Sequence, residues 1–271
     1  MSEHDGSLSR VRWKQLDGVL RGDATRAEAL EGGEVPVSAK ALLPALLGLG
    51  VVYGLCMGSF GLIRAYTGTG LGDHARDTVV SDAWWQLLST MVKVPVLFAA
   101  TLVVTLPSLY VFNALVGSRL SGRSVLRLLV AMLGVTLAVL ASLGPIVAFF
   151  GVSTTSYPFM KLLNVVCFTV AGTLGLAFLL RTLRLLVRTA ETVVIKSEDG
   201  EASETLVMKH DRAKNVFRIW IVVFALVGAQ MSWVLRPFIG DPELEFAWFR
   251  SRESNFFLDV FEAALRLLGV Q

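Results

Sequence analysis

Apolar residues along this chain gather into five long runs separated by polar stretches. The runs are Ala41 to Ile63, Val94 to Gly117, Leu128 to Val152, Leu162 to Leu180 and Ile219 to Leu235. A helix needs about 20 mostly apolar residues to cross a bilayer, with about 17–25 workable. The pattern therefore predicts an all-α, polytopic membrane bundle of five transmembrane helices over residues 41–236. A sixth stretch, Phe256 to Val270, is too short and carries Asp259, Glu262 and Arg266. Each of these charges costs about 2.5–3.5 kcal/mol at the centre of a spanning helix.

That last stretch has a different period. Phe257, Val260, Phe261, Ala264, Leu267 and Leu268 recur at steps of three and four, which is one face of a helix. The tail, residues 237–271, is expected to carry an amphipathic helix, with Ser254 placed to cap it. It is expected to rest on the outer membrane surface or on the other spans. The head, residues 1–40, repeats the theme more loosely: Leu8, Val11, Leu16, Val19 and Leu20 lie among Arg10, Arg12, Lys14 and Arg21. A basic amphipathic helix on the inner leaflet and a helix with no lipid role are both open. Between the fourth and fifth runs, Thr192 to Lys196, an Asp199–Gly200 turn and Thr205 to Lys209 are expected to form a short hairpin.

Composition narrows the class. Of 271 residues, 54% are hydrophobic and 17% charged. Soluble domains carry about 25% charged residues. A soluble enzyme, a disordered chain and a disulfide scaffold are excluded on that balance. The net charge of +3 is too mild for a nucleic-acid binder. Of the 25 Lys and Arg, 17 fall on the head and on the segments after spans two and four, and 8 on the other side. The positive-inside rule then predicts the N-terminus inside and the C-terminus outside. The expected location is a cell inner membrane, as a multi-pass protein. Because the first run follows a polar head, it is expected to remain as a signal anchor.

Candidate chemistry is sparse. Gly50, Gly54 and Gly58 stand at steps of four on one face of the first span. Missing side chains let another helix approach, within the chain or in a second copy, and close packing drives association in lipid. Gly228 and Ser232 form a similar pair in the fifth span. The second span is the most polar, with Thr101, Thr105, Ser108 and Asn113 around Pro107. A proline removes a backbone hydrogen bond and kinks a helix, so these residues fit either a polar path or a kinked structural span. Lys93 and Arg236 flank the outer boundary, where Arg236 has Asp241, Asp73, Asp77 and Asp82 as candidate partners. An ion pair and an anion or headgroup site are both open there. In the fifth span, Gln230 needs a partner.

No residue set indicates catalysis or a cofactor. Cys56 and Cys167 lie in apolar runs and read as small hydrophobes. Asp73, His74 and Asp77 make a weak metal set, with one His and two carboxylates. Asp, Glu and His are absent from the depth of every run, which counts against proton coupling and intramembrane proteolysis.

Two stretches have familiar wording: Lys93-Val-Pro-Val-Leu-Phe through Leu106-Pro-Ser-Leu-Tyr-Val-Phe-Asn-Ala-Leu-Val-Gly117, and Gly228-Ala-Gln-Met-Ser-Trp through Arg236-Pro-Phe-Ile-Gly-Asp-Pro242. With Leu20-Arg-Gly-Asp-Ala-Thr25, they resemble uncharacterised bacterial multi-span inner-membrane proteins. Spans two to five with the basic loop 117–123 more loosely resemble the Yip domain family. That resemblance implies a cytosolic head, five spans and no enzymatic activity; it carries no site residue. The expectation is a non-catalytic structural, assembly or scaffold subunit of a membrane complex. Its partners are the bilayer and other membrane chains or a second copy. The alternative is a homo-oligomeric channel or small-solute transporter lined by the second span.

Overall fold

A computed structural model of the chain describes residues 13–23, 26, 38–68, 73–115, 122–195, 203–240, 246–249 and 255–269. For residues 73–76, 109, 112–115, 186–195 and 203–218 the description is of the backbone. Every regular element among the described residues is helical. Helix α1 covers residues 13–20. Then come α2 (Ala39–Thr67), α3 (Asp73–Leu115), α4 (Gly122–Ser153), α5 (Tyr157–Ile195), α6 (Ser203–Val234) and α7 (Phe256–Leu267).

Four helices are long and apolar enough to cross a membrane: Ala39–Thr67, Asp77–Ser108, Gly122–Ser153 and Tyr157–Leu185. The stretch Ile219–Val234 within α6 is apolar but shorter. Helix α3 has 43 residues. At about 1.5 Å per residue it is near 65 Å long, about twice a hydrocarbon core. It begins well before the apolar run at Val94, so the polar stretch 73–93 ahead of that run is helix as well.

The hairpin expected after the fourth run does not form. Residues 192–195 close α5 and residues 205–209 belong to the first turns of α6. Thr192, Val193 and Val194 favour strands. However, two strands with no third strand or helix beneath them are marginal in water. Continuing a helix already nucleated in the apolar stretch needs only one more residue fixed per bond.

The chain divides into two compact units. The first comprises Met1–Leu46, Thr101–Thr136 and Gly172–Val227. In it Leu16, Val19, Leu42, Leu129, Met132 and Trp220 are enclosed. Helix α1 is therefore not free on a leaflet along its whole length: Leu16 packs at Gly134, which also touches Leu46. Trp13 and Leu20, on the flank of α1, are exposed, and Leu8 and Val11 lie outside the described residues. At Gly175, an added Cβ would overlap the Thr136 hydroxyl, so α4 and α5 approach backbone to side chain there. Trp220 Nε1 donates to Ser108 Oγ at 3.2 Å.

The second unit comprises Leu47–Ala100, Leu137–Ala171 and Gly228–Gln271. Its centre is Tyr53, fully enclosed, whose hydroxyl donates to Asn164 Oδ1 at 2.9 Å. The ring of Tyr53 meets Phe168 edge-on at 5.5 Å, and Phe168 stacks with Phe98 at 6.0 Å. Asn164 Nδ2 donates to the Met160 carbonyl, so the amide uses both ends. Arg64 donates to the carbonyl of Thr154, just past α4, where a cation suits the negative end of a helix. Ser156 caps α5 through Phe159 N.

Candidate functional site

Close approach in the second unit starts from the glycine steps of α2. A Cβ on Gly50 would meet Pro95 Cγ at 2.9 Å, one on Gly54 would meet Met91 Cα and Thr90 O at 2.8 Å, and one on Gly58 would meet Leu87 Cδ1 at 2.9 Å. As the glycine number rises by four, the α3 partner number falls by four: α2 and α3 pack antiparallel, four-residue ridge against four-residue ridge. The glycine face is thus covered by α3 of the same chain.

This register relocates Lys93. It lies between Met91 and Pro95, level with residues 50–54, in the middle of the apolar run from Ala41 to Ile63. The lysine that the sequence places at a boundary is buried, only 3% exposed. Ionisable groups in spans are rare and need a partner in reach.

Lys93 has one in the segment after α6. Its Nζ donates to the Pro237 carbonyl at 2.9 Å. It also faces Phe249 at 5.6 Å and Trp248 at 6.0 Å from the ring centres, within cation–π range. One turn away on the same face, Thr90 lies with its hydroxyl against the carbonyls of Gln86 and Phe238. A further turn on, Gln86 Nε2 reaches Pro237 O at 3.1 Å and Phe238 O at 3.3 Å. All three side chains are buried. Gly240 completes the contact against Gln86 and Gly61, where an added Cβ on Gly61 would sit 3.3 Å from Gly240 Cα.

The physical need is clear. Residues 235–240 leave the helix and run as irregular backbone beside α2 and α3. Non-helical backbone at membrane depth is tolerated only where protein or water satisfies it. Gln86, Thr90 and Lys93 supply donors from α3, and the lysine charge also suits the negative C-terminal end of α6. Chemically the arrangement is a clamp on a backbone strap. Ser89 Oγ on α3 and Trp233 Nε1 at the end of α6 are enclosed and have no hydrogen-bond partner.

The other expected site residues are placed as follows. Thr101 and Thr105 are buried, Thr105 Oγ1 donates to Thr101 O at 2.7 Å, and Ser108 Oγ donates to Thr105 O at 2.7 Å. These hydroxyls of α3 are used on its own carbonyls. The side chain of Asn113 lies outside the described residues. Helix α3 continues through Pro107. Gly228 and Ser232 are half-buried, and Ser232 Oγ donates to Ala229 O. Gln230 is exposed. Arg236 stacks over Trp233, 3.4 Å from the ring centre. Asp241 lies outside the described residues, and Asp82 accepts from Phe246 N at 3.1 Å. The structure thus brings Lys93 to the strap that follows Arg236. Asp73 and His74 fall where only the backbone is described. Cys56 and Cys167 are both free.

Sequence reading passed over Gln86, Thr90 and Asn164. Gln86, Thr90 and Lys93 do stand at steps of four and three, which is one helix face. That regularity was available; its partner, a strap of backbone carbonyls, has no side-chain signature. The chain matches no protein-family model, no curated protein and no solved structure.

Proposed function

We propose that this chain is a non-catalytic, multi-pass subunit that assembles with other membrane chains or with its own copies. In this reading it crosses the bilayer five times, counting the shorter Ile219–Val234, with the N-terminus inside as the 17-to-8 basic split favours. The same five-span plan is what the Yip resemblance implies.

The observation that carries the reading is the burial of α5. Its apolar window is only 28% buried within the chain, against 44%, 44% and 67% for the other three candidate spans. In the first unit this helix exposes Thr173 and Ala177, four apart, beside Gly172, which has open space around it. Small residues at that spacing are what helix pairs in lipid use. By contrast, the glycine face of α2 is occupied by α3, and the hydroxyls of Thr105 and Ser108 are engaged with carbonyls of α3 itself, which supports packing over a polar path.

The test is Ala177→Leu in a natively sized complex. In mild detergent the wild-type chain is expected to run above monomer mass, and the variant to shift to the monomer with unchanged thermal stability. A monomeric wild type with no co-purifying chain, or an unshifted variant, overturns the reading.

A further inference from the structure

Helix α7 carries an apolar face that no part of the described chain covers. Phe257 is 52% exposed, Phe261 61% and Leu268 75%. At 100° per residue these three fall within a sector of about 40°. Asp259, Glu262 and Arg266 fall on the opposite side, and Ala263 is the one buried residue of the helix. Asn255, not Ser254, caps it, accepting from Leu258 N at 3.1 Å.

Two contacts in the same unit bear on where this helix lies. Lys161 Nζ pairs with Asp259 Oδ1 at 2.9 Å, both side chains about three-quarters buried. Lys161 is the fifth residue of α5, whose apolar candidate span is Tyr157–Leu185, so the pair marks the end of a span. The same unit exposes Tyr66, Trp84 and Trp85, and Trp84 Nε1 reaches Tyr66 Oη at 3.4 Å. Exposed Trp and Tyr in a membrane protein gather at the headgroup level.

We propose that α7 is a bilayer-surface helix, tethered at headgroup level through Lys161 and Asp259, with Phe257, Phe261 and Leu268 in the acyl boundary. The partner is the lipid surface itself. With Asp259 neutralised by Lys161, Glu262 and Arg266 balance one another, so the attraction is apolar and needs no anionic lipid. The inference goes beyond the assembly reading and rests only on the membrane-crossing helices, so either can fail alone.

The test uses the full chain in phosphatidylcholine vesicles, with Cys56→Ala and Cys167→Ala and one nitroxide label at a time on Phe261→Cys, Leu268→Cys, Glu262→Cys or Arg266→Cys. Collision with oxygen, which favours lipid, is compared with collision with a water-soluble nickel chelate. Oxygen should win at 261 and 268 and the chelate at 262 and 266, with no shift on adding anionic lipid. Chelate access at all four positions places α7 in water and overturns the proposal. So do labels at 261 and 268 shielded from both reagents, which signals a protein cover. Lys161→Gln should move the label at 261 to a different depth; an unchanged depth removes the tether.

Discussion

Replacing Gly54 with alanine adds one methyl group where two helix backbones meet. The new Cβ would stand 2.8 Å from both Met91 Cα and Thr90 O, atoms that no rotamer change can move. Ordinary carbon contacts lie near 3.5–4.0 Å, so α2 and α3 must part by about 1 Å. That separation also loosens the packing at Gly50 and Gly58. Overpacking of this kind destabilises by about 1–3 kcal/mol. Alanine also favours helix over glycine by about 0.5–1 kcal/mol, which partly masks the steric effect. Gly48→Ala removes that ambiguity: it lies in the same helix, and a Cβ there meets nothing within 4 Å. The propensity gain is common to both variants, so their difference isolates the clash. Reversible unfolding in mixed micelles, followed by tryptophan fluorescence, should show an unfolding constant about 5- to 160-fold larger for Gly54→Ala than for Gly48→Ala, the range spanned by about 1–3 kcal/mol. Equal stability of the two would refute the antiparallel glycine packing of α2 on α3.

Lys93→Met keeps the length of the side chain and removes the donor to Pro237 O. A hydrogen bond to a charged group contributes about 1.5–3 kcal/mol, so hydrogen–deuterium exchange over residues 238–240 should accelerate by about tenfold or more, and unchanged exchange would show that the strap does not depend on Lys93. Ser89→Ala removes an enclosed hydroxyl that lacks a partner. It should leave stability unchanged or raise it by about 1 kcal/mol in the same unfolding assay, whereas a clear loss would mean that the hydroxyl is satisfied.

Much of the architecture was legible because lipid imposes a simple rule. A span must be long, apolar and helical, so Ala41–Ile63, Leu128–Val152 and Leu162–Leu180 announce themselves by composition alone. The period of residues 257–268 likewise identifies α7 as amphipathic. Local patterning failed where it was read too locally. The pattern of Thr192 to Lys196 predicts a strand, but the preceding helix continues to Ile195. The second run was read from Val94 because Asp82, Gln86, Ser89, Thr90 and Lys93 interrupt the apolar pattern before it.

Composition and periodicity are enough to show that the chain is helical and apolar enough to enter a membrane. They also show that glycines recur every four residues on α2, a spacing that permits close approach. What approaches them is visible only in the folded chain. Pairing Gly50, Gly54 and Gly58 with Pro95, Met91 and Leu87 sets the α3 register. That register sets Lys93 level with residues 50–54 of α2. There its donor, with those of Gln86 and Thr90, meets the carbonyls of a strap 144 to 151 residues later in the chain. A backbone carbonyl is the same atom in every residue, so no pattern of side chains can announce it as a partner.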